Sequence, residues 1–217
     1  MNNVAHPEFA ATALAHLRES DALMRELIDR IGPFTLRLHR DRFDTLVGSI
    51  ISQQISWKAA RSIKLRLNEL IDGRMTPEAL AAHSPETLRT AGLSGQKANY
   101  LLDLATKVRD KQVRLTRLSR MTDDEVIAEL TQVKGIGVWT AQMFLIFALG
   151  RPDIFPHDDL GIRSAIRRLH QLEELPGKVQ SHELAAPWRP YASVAVWYLW
   201  RSVDGDARLP DKKKPVS

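Results

Sequence analysis

A glycine-rich break between two helix-forming segments most constrains what this chain can fold into. Thr122-Asp123-Asp124-Glu125 has the pattern of a capping box, which predicts a helix from there to about Leu130. Val133-Lys134-Gly135-Ile136-Gly137 then interrupts the helix, and a second helix is predicted to start around Val138. The sequence therefore predicts two helices joined by a tight glycine turn.

The turn also has the properties of a phosphate-binding site. The first N–H groups of the second helix lack partners within the helix and lie at the positive end of its dipole. Gly135 and Gly137 would let a phosphate approach the backbone, and Lys134 would add a positive charge. For an isolated G-x-G, however, a plain turn between two core helices is the commoner interpretation. The rest of the chain has to decide between the two.

Composition sets limits compatible with either interpretation. With 217 residues, 44% hydrophobic and 26% charged, the chain can bury one good core or two small ones. Its net charge of +5 and sequence pI near 9.6 favour a polyanionic partner, although many proteins with this charge bind none. The absence of cysteine excludes disulfides, thiolate zinc sites and cysteine-held iron–sulfur clusters.

Helical patterns recur along the chain, whereas strand patterns are scarce, so an all-α fold is expected. Thr76-Pro77-Glu78 and Ser84-Pro85-Glu86 each place a capping residue before a proline, which predicts two short helices. Residues 193–200 are apolar nearly all round and predict a helix buried within the protein. Two apolar stripes at helical spacing predict further core helices, the first starting near residue 41 or 44: Phe43, Leu46, Val47, Ile50 and Ile51, and then Ala98, Leu101, Leu102, Ala105 and Val108.

The ends of the chain carry no targeting pattern. The segment MNNVAHPEFAAT lacks a basic region followed by an apolar core, and no apolar run is long enough to span a bilayer. We therefore expect a cytoplasmic, nucleoid-associated protein with no membrane partner. The polar stretch from residue 204 to residue 217 is predicted to fray.

Five stretches, taken together, resemble one known family. They span roughly residues 40 to 201 and are specific as a set, although each is weak alone. The set resembles the helix-hairpin-helix superfamily of DNA base-excision glycosylases, and most of all its AlkA-type branch, the 3-methyladenine DNA glycosylase II enzymes. The stretches are Leu130–Ala141 (LxxVxGIGxWTA), Phe155–Ile162 (FPxxDLGI), Ser52–Ser56, Gly92–Ala98, and Trp188–Tyr191 with Trp197–Trp200.

The resemblance implies an architecture of two helical lobes facing each other across a cleft. One lobe would be residues 42–151, which contain the hairpin, and the other would combine residues 1–41 with 152–217. The N-terminal β domain of the bacterial namesake is not expected, because this chain starts too late to include it. The family commonly has an arginine after Trp-Arg-Pro-Tyr where this chain has Ala192, so a charge pair supporting the second lobe is expected to be missing. No cofactor is implied.

The catalytic role falls on Asp159 by its match to the family motif, with Asp158 as a neighbour. A fixed carboxylate stabilises the positive charge that develops on the sugar as an N-glycosidic bond breaks, and it can orient a water. Without the resemblance, the simpler interpretation is that either aspartate caps a helix running through Arg163 and Ile166. Capping and catalysis are compatible, because a helix N-terminus favours the ionised carboxylate.

The resemblance also places Trp139, Met143, Leu160 and Trp200 in the substrate pocket. Electron-rich rings would hold an extruded cationic base by cation–π contact. Met143 stands where the namesake has an aromatic residue, which would loosen the pocket, and Leu160 also replaces an aromatic residue of the namesake. Trp139 occupies the slot where bifunctional relatives carry a nucleophilic lysine, so a monofunctional enzyme without lyase activity is expected. Trp188 and Trp197 are expected to be core residues.

DNA contacts are expected at three places. Gln54, with Gln53 beside it, would fill the space left by the flipped base, although a polar loop at a helix end fits the residues equally well. Lys97 would contact a second phosphate, while lysines after turns are usually just solvated. The hairpin (Lys134, Gly135, Ile136 and Gly137) would grip the backbone, and the carbonyls of Thr131, Val133 and Gly135 could hold a monovalent cation.

The resulting hypothesis is a monomeric glycosylase that acts on alkylated bases in double-stranded DNA. The alternative from another class is a helix-hairpin-helix protein that binds DNA or senses damage without catalysis. An acid at position 159 argues against it, since a pure binder gains nothing from a negative charge near phosphate. A further alternative is a glycosylase for oxidised or deaminated bases.

Overall fold

In the computed structural model, which describes residues 4 and 6–203, all the regular structure is helical. The all-α prediction is therefore confirmed over this part of the chain, and the tail predicted to fray lies outside it. Over the described residues the α-helices are α1 (Pro7–Ser20), α2 (Ala22–Ile31), α3 (Arg42–Ser52), α4 (Trp57–Leu70), α5 (Pro77–Ala81), α6 (Pro85–Arg89), α7 (Gly95–Arg109), α8 (Asp123–Thr131), α9 (Val138–Phe147), α10 (Leu160–Leu169), α11 (Lys178–Ala185) and α12 (Ala192–Val203). Two short 3-10 helices cover Leu118–Arg120 and Ala186–Trp188.

Local capping explains where the predicted helices begin. The capping box before α8 is complete: the Glu125 N–H donates to Thr122 Oγ1 over 3.3 Å, and the Thr122 N–H donates to Glu125 Oε2 over 2.7 Å. Thr76 and Ser84 cap α5 and α6, which both start at a proline as predicted. Asp41 caps α3 by accepting from the backbone N–H of Asp44 over 2.9 Å. Each of these starts depends only on neighbouring residues.

The chain divides into two compact units. The first unit combines Met1–Leu38 with Gly150–Ser217 and contains α1, α2 and α10–α12. Helix α12 is buried almost all round, as its apolar sequence predicted, and it packs on α1, α2 and α10. Within the described residues, neither unit has a helix that is long and apolar enough to cross a membrane.

Two aromatic side chains anchor the core of the first unit. Trp188 is fully buried, and its Nε1 donates to Asp21 Oδ2 over 2.7 Å. Tyr198 is also fully buried; its hydroxyl donates to the Gly32 carbonyl over 2.9 Å, and burial raises the pKa of Tyr198 to about 12. Trp197 is only 8% exposed, so the prediction that Trp188 and Trp197 are core residues is confirmed.

The second unit, His39–Leu149, is built around α7. Helices α3, α5 and α6 pack on α7, and α8 packs on α9. Leu104 of α7 is buried, while Leu102 and Val108 are only half-buried, which differs from the predicted stripe. The buried residues of α7 still form one stripe, but it is displaced toward Leu104, because the helices that pack on α7 decide which of its sides is buried.

The segment before Ala192 contains an ion pair, while the charge pair expected to be missing at position 192 itself stays a prediction. Arg189 Nε donates to Asp153 Oδ2 over 2.9 Å immediately before α12 begins, and Ala192 itself is buried. The turn into α12 therefore has an ion pair built from Arg189 and Asp153.

Candidate functional site

Asp159 is a buried carboxylate fixed at the start of α10. It is 9% exposed, and its Oδ1 accepts from the Ile162 N–H over 2.9 Å and from Trp200 Nε1 over 3.3 Å. A Cβ at Gly161 would stand 3.1 Å from Oδ1 and 3.5 Å from Trp200 Cδ1, so glycine lets the indole and the carboxylate come this close. The helix-capping interpretation of Asp159 is thus confirmed, and the carboxylate also has a defined orientation.

Asp158, the other member of the acidic pair, has a different environment. Its side chain is 82% exposed and lies 3.2 Å from His157 Nε2. The His157 ring in turn lies against His182, with 5.0 Å between ring centroids. Burial lowers the pKa of His182, and the nearby positive charges, including His157 when it is protonated, lower it further. Of the two acids, only Asp159 is buried in the way that strengthens its electrostatic effect on a bound charge.

The two glycines of the hairpin do different things. Gly135 has φ +84°, and a Cβ there would lie 2.1 Å from Tyr100 Cδ2, so this glycine lets the Tyr100 ring pack on the turn. Gly137 has φ −93° and no atom within 4 Å of an added Cβ. It leaves open space at the N-terminus of α9, where a phosphate oxygen could approach.

The hairpin backbone has the donors that such an anion needs. The hairpin leads into the N-terminus of α9, and the first N–H groups of a helix have no carbonyl of a preceding turn to bind. Lys134 is exposed. Ile136 is only 4% exposed and its N–H donates to the Val133 carbonyl over 3.1 Å, so its side chain serves the core.

The Gln53–Gln54 loop, which is predicted to contact DNA, lies against the hairpin. Gln53 Nε2 donates to the Gly135 carbonyl over 2.8 Å. Lys97 Nζ donates to the carbonyls of Ile51 and Gln53 over 2.7 and 2.5 Å, and burial lowers its pKa. Gln54 is exposed and has φ +56°, a left-handed conformation that costs a non-glycine residue about 1–2 kcal/mol. Lys97 is therefore not a solvated lysine, because it holds the backbone beside Gln54.

The cation predicted at the hairpin would share carbonyls that already accept hydrogen bonds. The Val133 carbonyl accepts from Ile136, and the Gly135 carbonyl accepts from Gln53. A carbonyl oxygen has two lone pairs, so each could also face a cation. The cation site stays a prediction.

The predicted pocket residues lie on three helices: Trp139 and Met143 on α9 of the second unit, and Leu160 on α10 and Trp200 on α12 of the first unit. Trp139 is 47% exposed in the first turn of α9, and Met143 lines a cavity of about 270 Å³ with Gly48, Ser49 and Ser52. Leu160, directly after Asp159, is 64% exposed, and Trp200 is half-buried. A large aromatic side chain with nearly half its surface exposed has area left for a ligand.

The sequence reasoning missed Trp57. This side chain is 77% exposed at the start of α4, just after the Gln53–Gln54 loop, and the Arg61 guanidinium lies 5.7 Å from its ring centroid. Its position one turn before the buried Ala60 also fits a core stripe, so the spacing alone could not identify it as exposed.

Known proteins match both the sequence and the fold. The family model for the HhH-GPD superfamily base excision DNA repair protein matches residues 47–190. DNA-3-methyladenine glycosylase 1 of Schizosaccharomyces pombe is 33% identical over 210 residues, which cover 93% of this chain and 89% of the relative. The solved S. pombe 3-methyladenine DNA glycosylase in complex with abasic DNA has a TM-score of 0.79 at 32% identity, covering 88% of this chain and 96% of that one.

A second solved structure agrees. The DNA-3-methyladenine glycosidase of Bacillus halodurans has a TM-score of 0.82 at 33% identity and covers 94% of this chain and 92% of its own. The family model spans more than half of the chain, and both the sequence relative and the two structures exceed 30% identity over most of its length. The chain belongs to the HhH-GPD superfamily of base excision DNA repair proteins.

Proposed function

We propose that this protein is a monofunctional DNA glycosylase that releases alkylated bases of the 3-methyladenine kind from double-stranded DNA and acts as a monomer. The observation that carries the proposal is the buried Asp159, whose Oδ1 is fixed by the Ile162 N–H and by Trp200 Nε1. The relatives named as 3-methyladenine glycosylases support the choice of substrate class.

The proposed reaction is hydrolysis at C1′ of the deoxyribose. The bond from C1′ to the base nitrogen breaks, its electron pair leaves with the base, and a water oxygen bonds to C1′. Asp159 would stabilise the positive charge on the sugar and take the proton that the water loses. A methylated purine that already carries positive charge leaves as a neutral base, so no second acid is needed.

The side chains proposed to contact the extruded base are Trp139, Met143, Leu160 and Trp200. Aromatic rings would hold a cationic methylpurine through cation–π contact of about 0.5–2 kcal/mol. An uncharged normal base would lack this contribution, which would help the enzyme to discriminate between them. Met143 adapts to different shapes more readily than an aromatic ring, so we expect tolerance of more than one alkylated purine.

The proposed DNA grip combines the hairpin with the Gln53–Gln54 loop. Gly135 and Gly137 would present their backbone N–H groups to a phosphate, and the Lys134 side chain would add one positive charge. Gln54 would fill the space left by the flipped base. Lys97 already donates to two carbonyls, so its ammonium has at most one N–H for a phosphate. We add Trp57, whose exposed ring with Arg61 beside it suits a base or sugar of the DNA.

The absence of lyase activity is proposed from Trp139. An indole cannot attack the sugar as an amine does, so no Schiff base should form. Incubation with damaged DNA and borohydride should therefore leave no covalent complex. A trapped complex would overturn this part of the proposal.

The test of the main proposal is base release by wild-type protein and by Asp159→Asn. Methylated duplex DNA is incubated with each protein, and free bases are measured by mass spectrometry. Asparagine caps helices as well as aspartate does, so the variant should keep its melting temperature while release falls at least about 100-fold. Undiminished release by the folded variant would refute catalysis by Asp159. DNA binding without base release by wild type would favour a non-catalytic DNA-binding protein. Release of only oxidised or deaminated bases from DNA that contains them would favour a glycosylase for those bases.

A further inference from the structure

One face of α7 touches both parts of the proposed DNA grip. Lys97, Tyr100, Asp103 and Lys107 lie three or four residues apart and so share a side of the helix. Lys97 contacts the Gln53–Gln54 loop, Tyr100 and Asp103 contact the hairpin, and Lys107 contacts Gln132, which ends α8 just before the hairpin. We call these four residues the α7 brace.

At one end of the α7 brace, Lys97 closes the C-terminus of α3. Its Nζ donates to the carbonyls of Ile51 and Gln53 over 2.7 and 2.5 Å. The last carbonyls of a helix carry partial negative charge, and α3 has no basic residue of its own in its last turn. Because the Gln53 carbonyl directly precedes Gln54 in the chain, this contact fixes the position of the Gln54 backbone.

At the other end, a largely buried ion pair holds the hairpin backbone. Asp103 Oδ2 accepts from Lys107 Nζ over 2.6 Å and from the Lys134 N–H over 2.8 Å. Lys107 Nζ also donates to the Gln132 carbonyl over 2.8 Å. Burial by itself would raise the pKa of Asp103, but the hydrogen bonds and positive charges of Lys107 and Lys134 outweigh it and lower the pKa. The hairpin is thus held on both sides of Val133.

Between the two ends, the loop and the hairpin also touch each other. Gln53 Nε2 donates to the Gly135 carbonyl over 2.8 Å, and the Tyr100 ring covers Gly135. Lys97 and Lys107 are ten residues apart on one helix, which spans about 15 Å at the usual rise. A helix of this length is rigid, so movement of one end is passed to the other.

We propose that Lys97 and the Asp103–Lys107 pair are positioning residues that hold Gln54 in register with the phosphate-binding hairpin. The inference rests on the proposed function, because it assigns Gln54 to the space left by the flipped base. Binding of a phosphate by the hairpin would then be coupled to insertion of Gln54. Loss of Lys97 would leave the hairpin competent to bind DNA but the insertion poorly placed.

The test measures insertion without needing catalysis. The probe is a duplex with a tetrahydrofuran abasic analogue beside 2-aminopurine, whose fluorescence reports stacking, at saturating protein. Wild type should change the fluorescence, Gln54→Ala should lose most of the change, and Lys97→Met should resemble Gln54→Ala. Lys97→Arg, which keeps the donors, should restore most of it. Arg109→Met is the matched control, because Arg109 is a cation on the same helix that pairs with Asp110 away from the loop.

Coupling between the variants separates positioning from general destabilisation. The double variant Lys97→Met/Gln54→Ala should be no worse than Gln54→Ala alone, and release of methylated bases by Lys97→Met should fall about tenfold in kcat with little change in KM. Additive effects, or a wild-type fluorescence change in Lys97→Met, would overturn the inference. Should Lys97→Met not fold, Lys107→Met provides the same test from the other end of the α7 brace. A wild-type protein that changes the fluorescence but releases no base would refute the proposed function and leave the positioning role standing.

Discussion

The two hairpin glycines predict opposite results for the same substitution. At Gly135 an added Cβ would lie 2.1 Å from Tyr100 Cδ2 and 2.6 Å from Tyr100 Cγ. Because Cγ is at the root of the ring, the whole ring would have to move. The backbone at Gly135 is also left-handed, whereas Gly137 has φ −93° and open space around an added Cβ. Gly135→Ala should therefore damage the fold, and Gly137→Ala should not.

The expected magnitudes follow from those two differences. A left-handed alanine costs about 1–2 kcal/mol, and the displaced ring adds about 1–3 kcal/mol. We expect Gly135→Ala to lower the free energy of unfolding by about 2–5 kcal/mol, or Tm by about 4–20 °C in a chain of this length. Gly137→Ala should cost no more than about 1 kcal/mol, because alanine is a poorer N-cap than glycine but meets neither backbone strain nor a nearby atom here.

The assay pairs thermal unfolding, followed by circular dichroism, with duplex binding, followed by fluorescence anisotropy. Gly137→Ala should lose at most about 4 °C of Tm but weaken DNA binding about tenfold, since its methyl group stands where the phosphate would approach α9. Tyr100→Ala combined with Gly135→Ala should be less destabilising than the sum of the two single changes, because the clash is gone and only the backbone strain remains.

The stability prediction for Gly135 and the DNA-binding prediction for Gly137 can be refuted separately. An unchanged Tm for Gly135→Ala would show that Tyr100 does not pack on the turn. Wild-type DNA affinity for Gly137→Ala would show that no phosphate lies at the start of α9.

Three further predictions concern other parts of the protein. Trp200→Phe keeps a ring but loses the donor to Asp159, so kcat for base release should fall about 2–10-fold with Tm little changed, and equal kcat would remove Trp200 from the site. Trp57→Ala should weaken binding to undamaged duplex without changing Tm, because the side chain is 77% exposed; unchanged affinity would exclude it from the DNA contact. Burial lowers the pKa of His170, and the negative charge of Asp21 opposes this only in part. As the pH drops, the unfolded chain therefore binds a proton at this histidine before the folded protein does, and the free energy of unfolding should fall below about pH 6.5. Urea melts at pH 7.5 and 5.5 should show a smaller fall for His170→Gln than for wild type.

The sequence predicts the helix starts well because their causes are local. The capping box of Thr122 and Glu125 and the proline starts at Pro77 and Pro85 involve residues within one helical turn. The buried face of α7 was predicted less well, with Leu102 in place of Leu104. Which side of a helix is buried depends on helices that are distant in the sequence, and the periodicity of the helix itself does not show where they pack.

The contacts that position the candidate site could not be predicted for the same reason. Lys97 lies 46 residues from Ile51 and Gln53 lies 82 residues from Gly135, yet each pair is joined by one hydrogen bond. A lysine after a turn is usually solvated, so nothing in the local pattern marks Lys97 as the cation that caps α3. The left-handed backbone of Gln54 is equally invisible in the sequence, since neither neighbour is a glycine or a proline.

Asp159 has a structural role that is established and a chemical role that is proposed, and three substitutions can separate them. Asp159→Asn keeps the cap on the Ile162 N–H but removes the charge, whereas Asp159→Ala removes both and should cost about 0.5–2 kcal/mol of stability. Asp159→Ser keeps a capping group with no charge and a shorter reach. If the carboxylate is catalytic, all three should lose base release to a similar extent while only the alanine variant loses Tm. If the residue merely caps α10, release should follow Tm, and the asparagine and serine variants should remain active.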